Sequence, residues 1–445
     1  MRRSLALLTF LALPALLGAG FGPPADAVTG QLTGMPPDVG IEIGTLDAGH
    51  TAFASFGGAH LSENTPLEIG SITKTFTAAL LAVMVQRGEV ALDDPIEKFL
   101  PAGAKAPTYQ GRHITLRDLA TQSSGLPRMP TNFTPGNADD PYADYGEKQL
   151  LEFLASYELK RAPGAEAEYS NLGFGLLGYL LARRLGMDYA TAVRTRILEP
   201  LGMSHTHVGY TDALARSVAP GHDPDGTRVP IWHDNVFAGA GAIVSTAKDM
   251  LRYAAANLGD VKGPLGAALA DARRPRRALD LLHRVGLAWI TTNADGIVWH
   301  NGGTGGYRSF LGLDEAHKRA IVVLANAVID GVDALGMHAL DPSVPLPPGI
   351  PADAAVDPQT LAGYVGSYRF SDNSTCQVSR DNRGLVAFFQ PPGLRTRLHA
   401  TSATRFTTRS FGVVVTFAGS GDATTMTVVQ RGGPPDVGRR YNPKT

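Results

Sequence analysis

Residues 68–86 read EIGSITKTFTAALLAVMVQ, and one lysine in them decides how the chain is understood. From Ser71 onward the stretch predicts a helix: Ala and Leu dominate, neither Gly nor Pro interrupts, and Ser71 is an N-cap type. Ile72, Phe76 and the run Ala78 to Val85 put apolar groups almost all round the wheel, the pattern of a buried helix. Lys74 falls in the first turn, where the helix dipole disfavours a cation and burial penalises an unpaired ammonium.

One arrangement removes the conflict. Residues three apart share a helix face, so the Lys74 ammonium can reach the Ser71 hydroxyl. Desolvation lowers a lysine's pKa, and a neutral amine beside a hydroxyl is a base beside a nucleophile. The N–H groups of the same helix start would face the oxyanion of an attacked carbonyl. Alone, Ser-x-x-Lys is weak, because a capping serine with a snorkelling lysine accounts for it equally well.

Two later stretches add chemistry. In AEYSNLGFGLLGYLL, residues 167–181, Tyr169, Ser170 and Asn171 stand just ahead of a helical pattern. A phenol near an ammonium can shuttle a proton, and an amide can bond both lysine and a substrate carbonyl. In VWHNGGTGGYRSF, residues 298–310, a strand ending at His300 runs into Asn301, Gly302 and Gly303. Glycines there let a substrate backbone approach the strand edge.

The order of these motifs resembles that of the penicillin-recognising serine hydrolases, the class C β-lactamase and D-alanyl-D-alanine carboxypeptidase superfamily. The stretches GEVALDDPIEKFLP, ITLRDLATQSSGLP and GAIVSTAKDML are similar to the segments between its motifs. Residues 100–130, LPAGAKAPTYQGRHITLRDLATQSSGLPRMP, are most similar to the carboxypeptidase/endopeptidase subgroup, which also acts weakly on penicillins. The resemblance covers about residues 38–340. It implies Ser71 as acylated nucleophile and Lys74 with Tyr169 as the base, without saying which takes the proton first. It implies Asn171 as holder of the substrate amide and His300 facing the substrate carboxylate. The N–H groups of Ser71 and Gly303 would form the oxyanion hole, with Asn301 and Gly302 beside them in the substrate-binding strand. It implies no metal or cofactor.

The third motif departs from the Lys-Thr-Gly of efficient β-lactamases. A neutral histidine attracts a carboxylate less than a lysine does, which predicts poor β-lactam turnover and leaves room for esterase activity. The expected substrate is a D-Ala-D-Ala peptide of peptidoglycan, with an ester or β-lactam as the alternative on the same site. A non-catalytic binder of cell-wall peptides or β-lactams is the alternative from another class.

The rest of the chain fits an α+β enzyme. Strands at both ends of segment 38–340 would join one antiparallel sheet flanked by helices and a helical subdomain, the DD-peptidase/β-lactamase fold. The Pro-rich residues 341–358 predict a linker. Residues 359–445, opening LAGYVGSYRF, show only strand-like runs and resemble the small lipocalin-like β-domain carried by some relatives.

At 445 residues, net charge −1 and 44% hydrophobic content, the balance is that of an ordinary globular protein, with no basic stripe for nucleic acid. Arg2 and Arg3, an apolar run from Leu5 to about Phe21, and Ala25-Asp26-Ala27 have the order of a secretory signal peptide. Residues 1–27 would then be removed, the domain beginning at Val28, and the protein would be periplasmic or secreted with no membrane span after cleavage. The single cysteine, Cys376, predicts no internal disulfide and reads as structural, at a strand edge. The Gly173-x-Gly175-x-x-Gly178 pattern lacks a preceding strand and reads as helix packing. His205 and His207 lack a third metal ligand. His222 and Asp223 read as a solvated turn.

Overall fold

The computed structural model describes residues 21–390, 394–409, 412–421, 424–430 and 433–442. Strand β1 (Gly40–Asp47) turns back on β2 (His50–Gly57) through Ala48 and Gly49, both at positive φ, 48° and 84°. Such a two-residue turn matches the right-handed twist of the hairpin it closes.

The sheet is completed from the far end of the domain by β3 (Arg277–Ala278), β4 (His283–Val285), β5 (Ile290–Thr292), β6 (Val298–Gly303), β7 (Arg308–Asp314) and β8 (Arg319–Ala325). Its order is β3-β4-β5-β6-β7-β8-β1-β2, all antiparallel. Register Ile41↔Ala325 joins the two ends of the segment in one sheet, as the sequence predicts.

Alternation along β8 builds two cores. Ala320, Val322 and Leu324 face helix α1 (Thr73–Gln86) and helix α3 (Ala247–Ala255), whose Met250 and Leu251 are buried there. Ile321, Val323 and Ala325 face the opposite side, under Val332 and Leu335 of helix α4 (Val332–Leu340). The two-residue side-chain period thus covers both faces of the strand with helices. Helix α2 (Asn171–Leu185) anchors the helical side of the domain, and its glycines let it seat closely. A Cβ on Gly178 would lie 2.9 Å from Gly239 Cα, so the glycine pattern serves packing.

The C-terminal strands, from Gly366–Arg369 to Asp436–Tyr441, close into a barrel, the first pairing with the last at Ser367↔Tyr441. Tyr368, Val378, Phe406, Phe417 and Met426 fill it. Cys376, the second residue of the strand Thr375–Asp381, belongs to this interior and is fully buried. The segment also opens with a helix, Pro358–Tyr364, where only strands were expected. Asp357 accepts from Gln359 N–H at 2.9 Å and proline occupies the first turn, a strong local start. Tyr364 then stacks on Phe417 at 4.3 Å.

The His222-Asp223 turn is not solvated as expected. His222 is fully buried, bonding the Asn326 carbonyl oxygen through Nδ1 at 2.9 Å. Asp225 at the turn's tip accepts the Arg397 N–H of the barrel at 2.9 Å, and His399 Nε2 stands 3.4 Å from its other oxygen. Of the expected signal segment, residues 1–20 lie outside the described residues. The expected cleavage point falls within a short helix, Ala25–Gly30, whose Val28 is buried.

Candidate active site

Ser71 does not cap the helix. It sits in a 3₁₀ turn, Gly70–Ile72, that leads into α1, and no side chain caps either start. Its hydroxyl instead accepts from Lys74 Nζ at 2.9 Å, while the same ammonium donates to the Ala240 carbonyl at 2.8 Å. Lys74 is 0% exposed. Burial pushes its pKa down, the effect of Tyr169 opposing it in part. The lysine that conflicts with its helix is thus a desolvated amine touching the serine.

The turn is gripped from two sides. Ser309 Oγ of β7 donates to the Ile69 carbonyl at 2.8 Å, and Ile69 N–H donates to the Ile243 carbonyl at 3.0 Å. Gly302 is required on β6 because a Cβ there would lie 2.0 Å from Ile69 O. Gly70 adopts φ +48°, and a Cβ on it would come within 2.7 Å of the Gly303 nitrogen. Two side-chain-free positions therefore bring the Gly303 N–H strand edge against the serine turn.

Tyr169 lies beside the amine, with Lys74 Nζ 5.0 Å from its ring centroid and the His300 ring at 6.5 Å. Ser170, rather than Asn171, caps α2, accepting from Gly173 N–H at 2.9 Å. Asn171 is the first helical residue. It does not bond the lysine; its amide nitrogen faces Met129 Sδ at 3.9 Å and its Oδ1 is buried with no partner among the described residues.

His300 is 1% exposed and bonds the Asn301 carbonyl oxygen through Nδ1 at 2.6 Å, while Nε2 has no partner among the described residues. Burial, then the nearby Lys74, lowers its pKa to about 3, so the ring is neutral at physiological pH. Asn301 Nδ2 donates to Asp333 at 2.5 Å, and burial raises that carboxyl to about 6.

Ser71 is shared by two hollows. One, of about 460 Å³, is bordered by Tyr169, Asn301, Gly303, Arg128 and Arg308. The other is narrow and aromatic, bordered by Asn171, Tyr142, Trp232, Phe237 and Asp234. Next to it Tyr210 donates to the buried Glu68 at 2.6 Å. Burial raises the carboxyl of Glu68, eased by hydrogen bonds from Thr304 and Tyr210, and raises that of Asp234 well above its ordinary value, Glu68 adding to the effect and Lys74 easing it. Ser71, Lys74, Tyr169, Asn171, His300, Asn301, Gly302 and Gly303 are all brought together at this place. Arg128, Arg308, Trp232 and Asp234 were missed. Arg308 stands inside the quoted GGTGGYRSF stretch and Arg128 directly after SSGLP, but no spacing singles out Trp232 or Asp234.

A family profile described as Beta-lactamase matches residues 38–342. The D-alanyl-D-alanine-carboxypeptidase/endopeptidase AmpH of Escherichia coli (strain K12) is 33% identical over 222 residues, 48% of this chain and 56% of that protein, so the match spans little more than half of that relative. Penicillin-binding protein 4* of Bacillus subtilis (strain 168) is 27% identical over 411 residues, 83% of this chain and 87% of that protein. The fold is that of the β-lactamase/D-alanine carboxypeptidase from Yersinia pestis, crystallised with citrate, at TM-score 0.61 and 24% identity over 68% of this chain and 90% of that one. The chain belongs to the Beta-lactamase family, whose named relatives and fold are those of serine hydrolases.

Proposed function

We propose that this chain is an exported serine hydrolase that works through an acyl-enzyme, a D-alanyl-D-alanine carboxypeptidase/endopeptidase on peptidoglycan peptides with weak action on β-lactams. The observation that carries the reading is the 2.9 Å bond between Ser71 Oγ and a fully buried Lys74. A lysine whose charged form burial disfavours takes, once neutral, the serine proton as Oγ attacks the scissile carbonyl. The N–H groups of Ser71 and Gly303 receive the developing oxyanion. The unpartnered Oδ1 of Asn171 accepts the N–H on the acyl side of the substrate. The proton returns to the departing amine through Lys74 and Tyr169. A water then takes the place of that amine, and the same base directs it onto the ester carbonyl.

The neutrality of His300 favours a second reading, an esterase, because the third motif brings no charge for a substrate carboxylate. The arginine-led apolar N-terminus supports export; no helix among the described residues is long and apolar enough to cross a membrane. Intact mass of the full chain incubated with a penicillin, followed by D-alanine release from an acylated D-Ala-D-Ala peptide, tests the proposal. A Ser71-dependent adduct and D-alanine release are expected. Ester hydrolysis without D-alanine release would replace the peptidase by the esterase, and a penicillin adduct that persists in Ser71→Ala would remove the mechanism.

A further inference from the structure

At the β3 edge of the sheet, away from Ser71 and its strand, a hairpin holds two leucines out of the fold. Leu281 is 96% exposed and Leu282 67%, both in the turn between β3 and β4. Among the described residues the other exposed large apolar side chains are Val365 and Val437, apart from each other in the C-terminal segment. Single exposed residues of that kind are ordinary, whereas an adjacent pair at a tip is not. The turn is fixed from both sides. Asp280 accepts the N–H groups of Leu282 at 2.7 Å and His283 at 2.9 Å. Asn293 of the next turn donates its Nδ2 to the Leu281 carbonyl at 3.1 Å and its N–H to the Leu282 carbonyl at 2.8 Å. The His283 ring packs edge-on against Trp299 at 5.8 Å. A built turn therefore presents the leucines to the outside.

The same hairpin is basic. Residues 273–284 hold five arginines against one carboxylate, Asp280, which spends its charge on the turn itself. Arg273 and Arg276 are tied to Glu315 and Asp271. Arg274 also reaches Asp271, yet 71% of its side chain is in solvent. Arg277 donates to the Gly164 carbonyl, and Arg284, exposed, pairs in register with the exposed Ala278. Neither of these two makes an ion pair within 4 Å among the described residues. On the neighbouring turn Asp295 accepts from the Ile297 N–H at 2.9 Å.

We propose that this hairpin seats the protein on an anionic lipid surface, Leu281 and Leu282 entering the acyl boundary while Arg274, Arg277 and Arg284 meet headgroup phosphates. Three features select a bilayer over a protein. Two leucines on a protruding tip supply far less than the ~1,200 Å² that a stable protein interface buries, and a bilayer yields to such a tip without needing a matching pocket. The Leu281 carbonyl and both polar backbone groups of Leu282 are already bonded within the fold, as an apolar medium demands. The arginine surplus complements anionic headgroups, and arginine stems can reach up to phosphates while their methylenes stay beside the apolar tip. The contact lies on the membrane and does not span it.

The test uses the full chain carrying Ala278→Cys, labelled with an environment-sensitive nitrobenzoxadiazole dye. Cys376 is buried, so the dye reports on the hairpin and is blind to the apolar N-terminal run. Vesicles of phosphatidylglycerol with phosphatidylethanolamine should shift its emission to the blue, and vesicles of phosphatidylcholine should do so far less. Leu281→Ser with Leu282→Ser should weaken the response at least about tenfold in lipid concentration. Arg284→Gln should weaken it about fivefold, and added salt should weaken it further. Both changes are at exposed positions, and an unchanged melting temperature shows that the fold is kept. Co-sedimentation with vesicles while the dye is silent overturns the proposal, because another part of the chain then holds the lipid. A full response in the double leucine variant, or an equal one on both vesicles, overturns it as well. A blue shift without lipid that grows with protein concentration, alongside a dimer mass, replaces the bilayer by a second copy of the chain.

Discussion

Lys74 Nζ stands 2.9 Å from Ser71 Oγ and 2.8 Å from the Ala240 carbonyl oxygen, with no carboxylate paired to it among the described residues. An ammonium at 0% exposure with two neutral partners is poorly compensated. The pair is therefore better suited to moving a proton than to holding the fold. Lys74→Ala should cut acylation by at least about a thousandfold, within the range for a positioned general base. Ser71→Ala should abolish the penicillin adduct with the far-ultraviolet circular dichroism unchanged. Because the two act as a unit, the double variant should lose no more than the single ones; stopped-flow acylation rates check this.

The pH dependence follows from the same burial. Lys74 is lowered from 10.5, so the active neutral amine grows in as pH rises, and the acylation rate should climb with an apparent pKa below that ordinary value. His300, at about 3, is uncharged throughout the physiological range. No inflection near pH 6.5 should belong to it, and the shape of the kcat/KM profile between pH 5 and 8 should survive His300→Asn even where its height falls.

Glycines at the cleft should differ sharply in what they tolerate. Gly302→Ala drives a methyl to 2.0 Å from a backbone carbonyl oxygen, which cannot move without moving the Ser71 turn. It should cost about 1–3 kcal/mol of stability and most of the activity. Gly303→Ala instead meets the flexible tip of Arg308 at 2.5 Å. It should leave the melting temperature nearly unchanged while altering turnover. Thermal unfolding beside steady-state kinetics separates the two.

Phe76 of α1 is fully buried and stacks on Tyr253 of α3 at 4.0 Å. Phe76→Ala should cost about 3–5 kcal/mol, read from denaturant midpoints. The loss should be global, because this stack joins the helix carrying Lys74 to α3, which packs on the sheet.

The tip of the 221–229 turn ties the barrel to the catalytic region. Asp225 accepts the Arg397 N–H at 2.9 Å, while His222 N–H, at the turn's base, donates to the Gly306 carbonyl at 3.0 Å, beyond the third motif. Asp225→Ala should raise amide exchange in the barrel strand Leu394–Ala400 and in the Gly303–Tyr307 turn together. Exchange raised in the barrel alone would show that the two are not coupled through this hairpin.

The sequence by itself determined most of the elements and the pairing of Ser71 with Lys74. The apolar wheel of residues 72–85 requires a buried helix, and the i, i+3 spacing of Ser71 and Lys74 is a local geometry that needs no distant partner. The continuous apolar run of residues 320–325, AIVVLA, likewise marks a strand, which the structure covers on both faces. What lay beyond local pattern was decided by tertiary structure. Ser71 reads as a cap, but the strand edge at Gly302 and the segment around Ile243 pull its turn into 3₁₀ form and give its hydroxyl to the lysine. His300 reads as a neutral histidine facing substrate; how far its pKa is lowered is set by the depth of its burial, which packing from several elements decides. The charge at the cleft comes from Arg128 and Arg308, far apart in sequence. Spacing along a chain encodes which side chains a helix or strand turns the same way, whereas burial and electrostatic environment depend on atoms brought in from elsewhere, and these set the protonation states on which the chemistry depends.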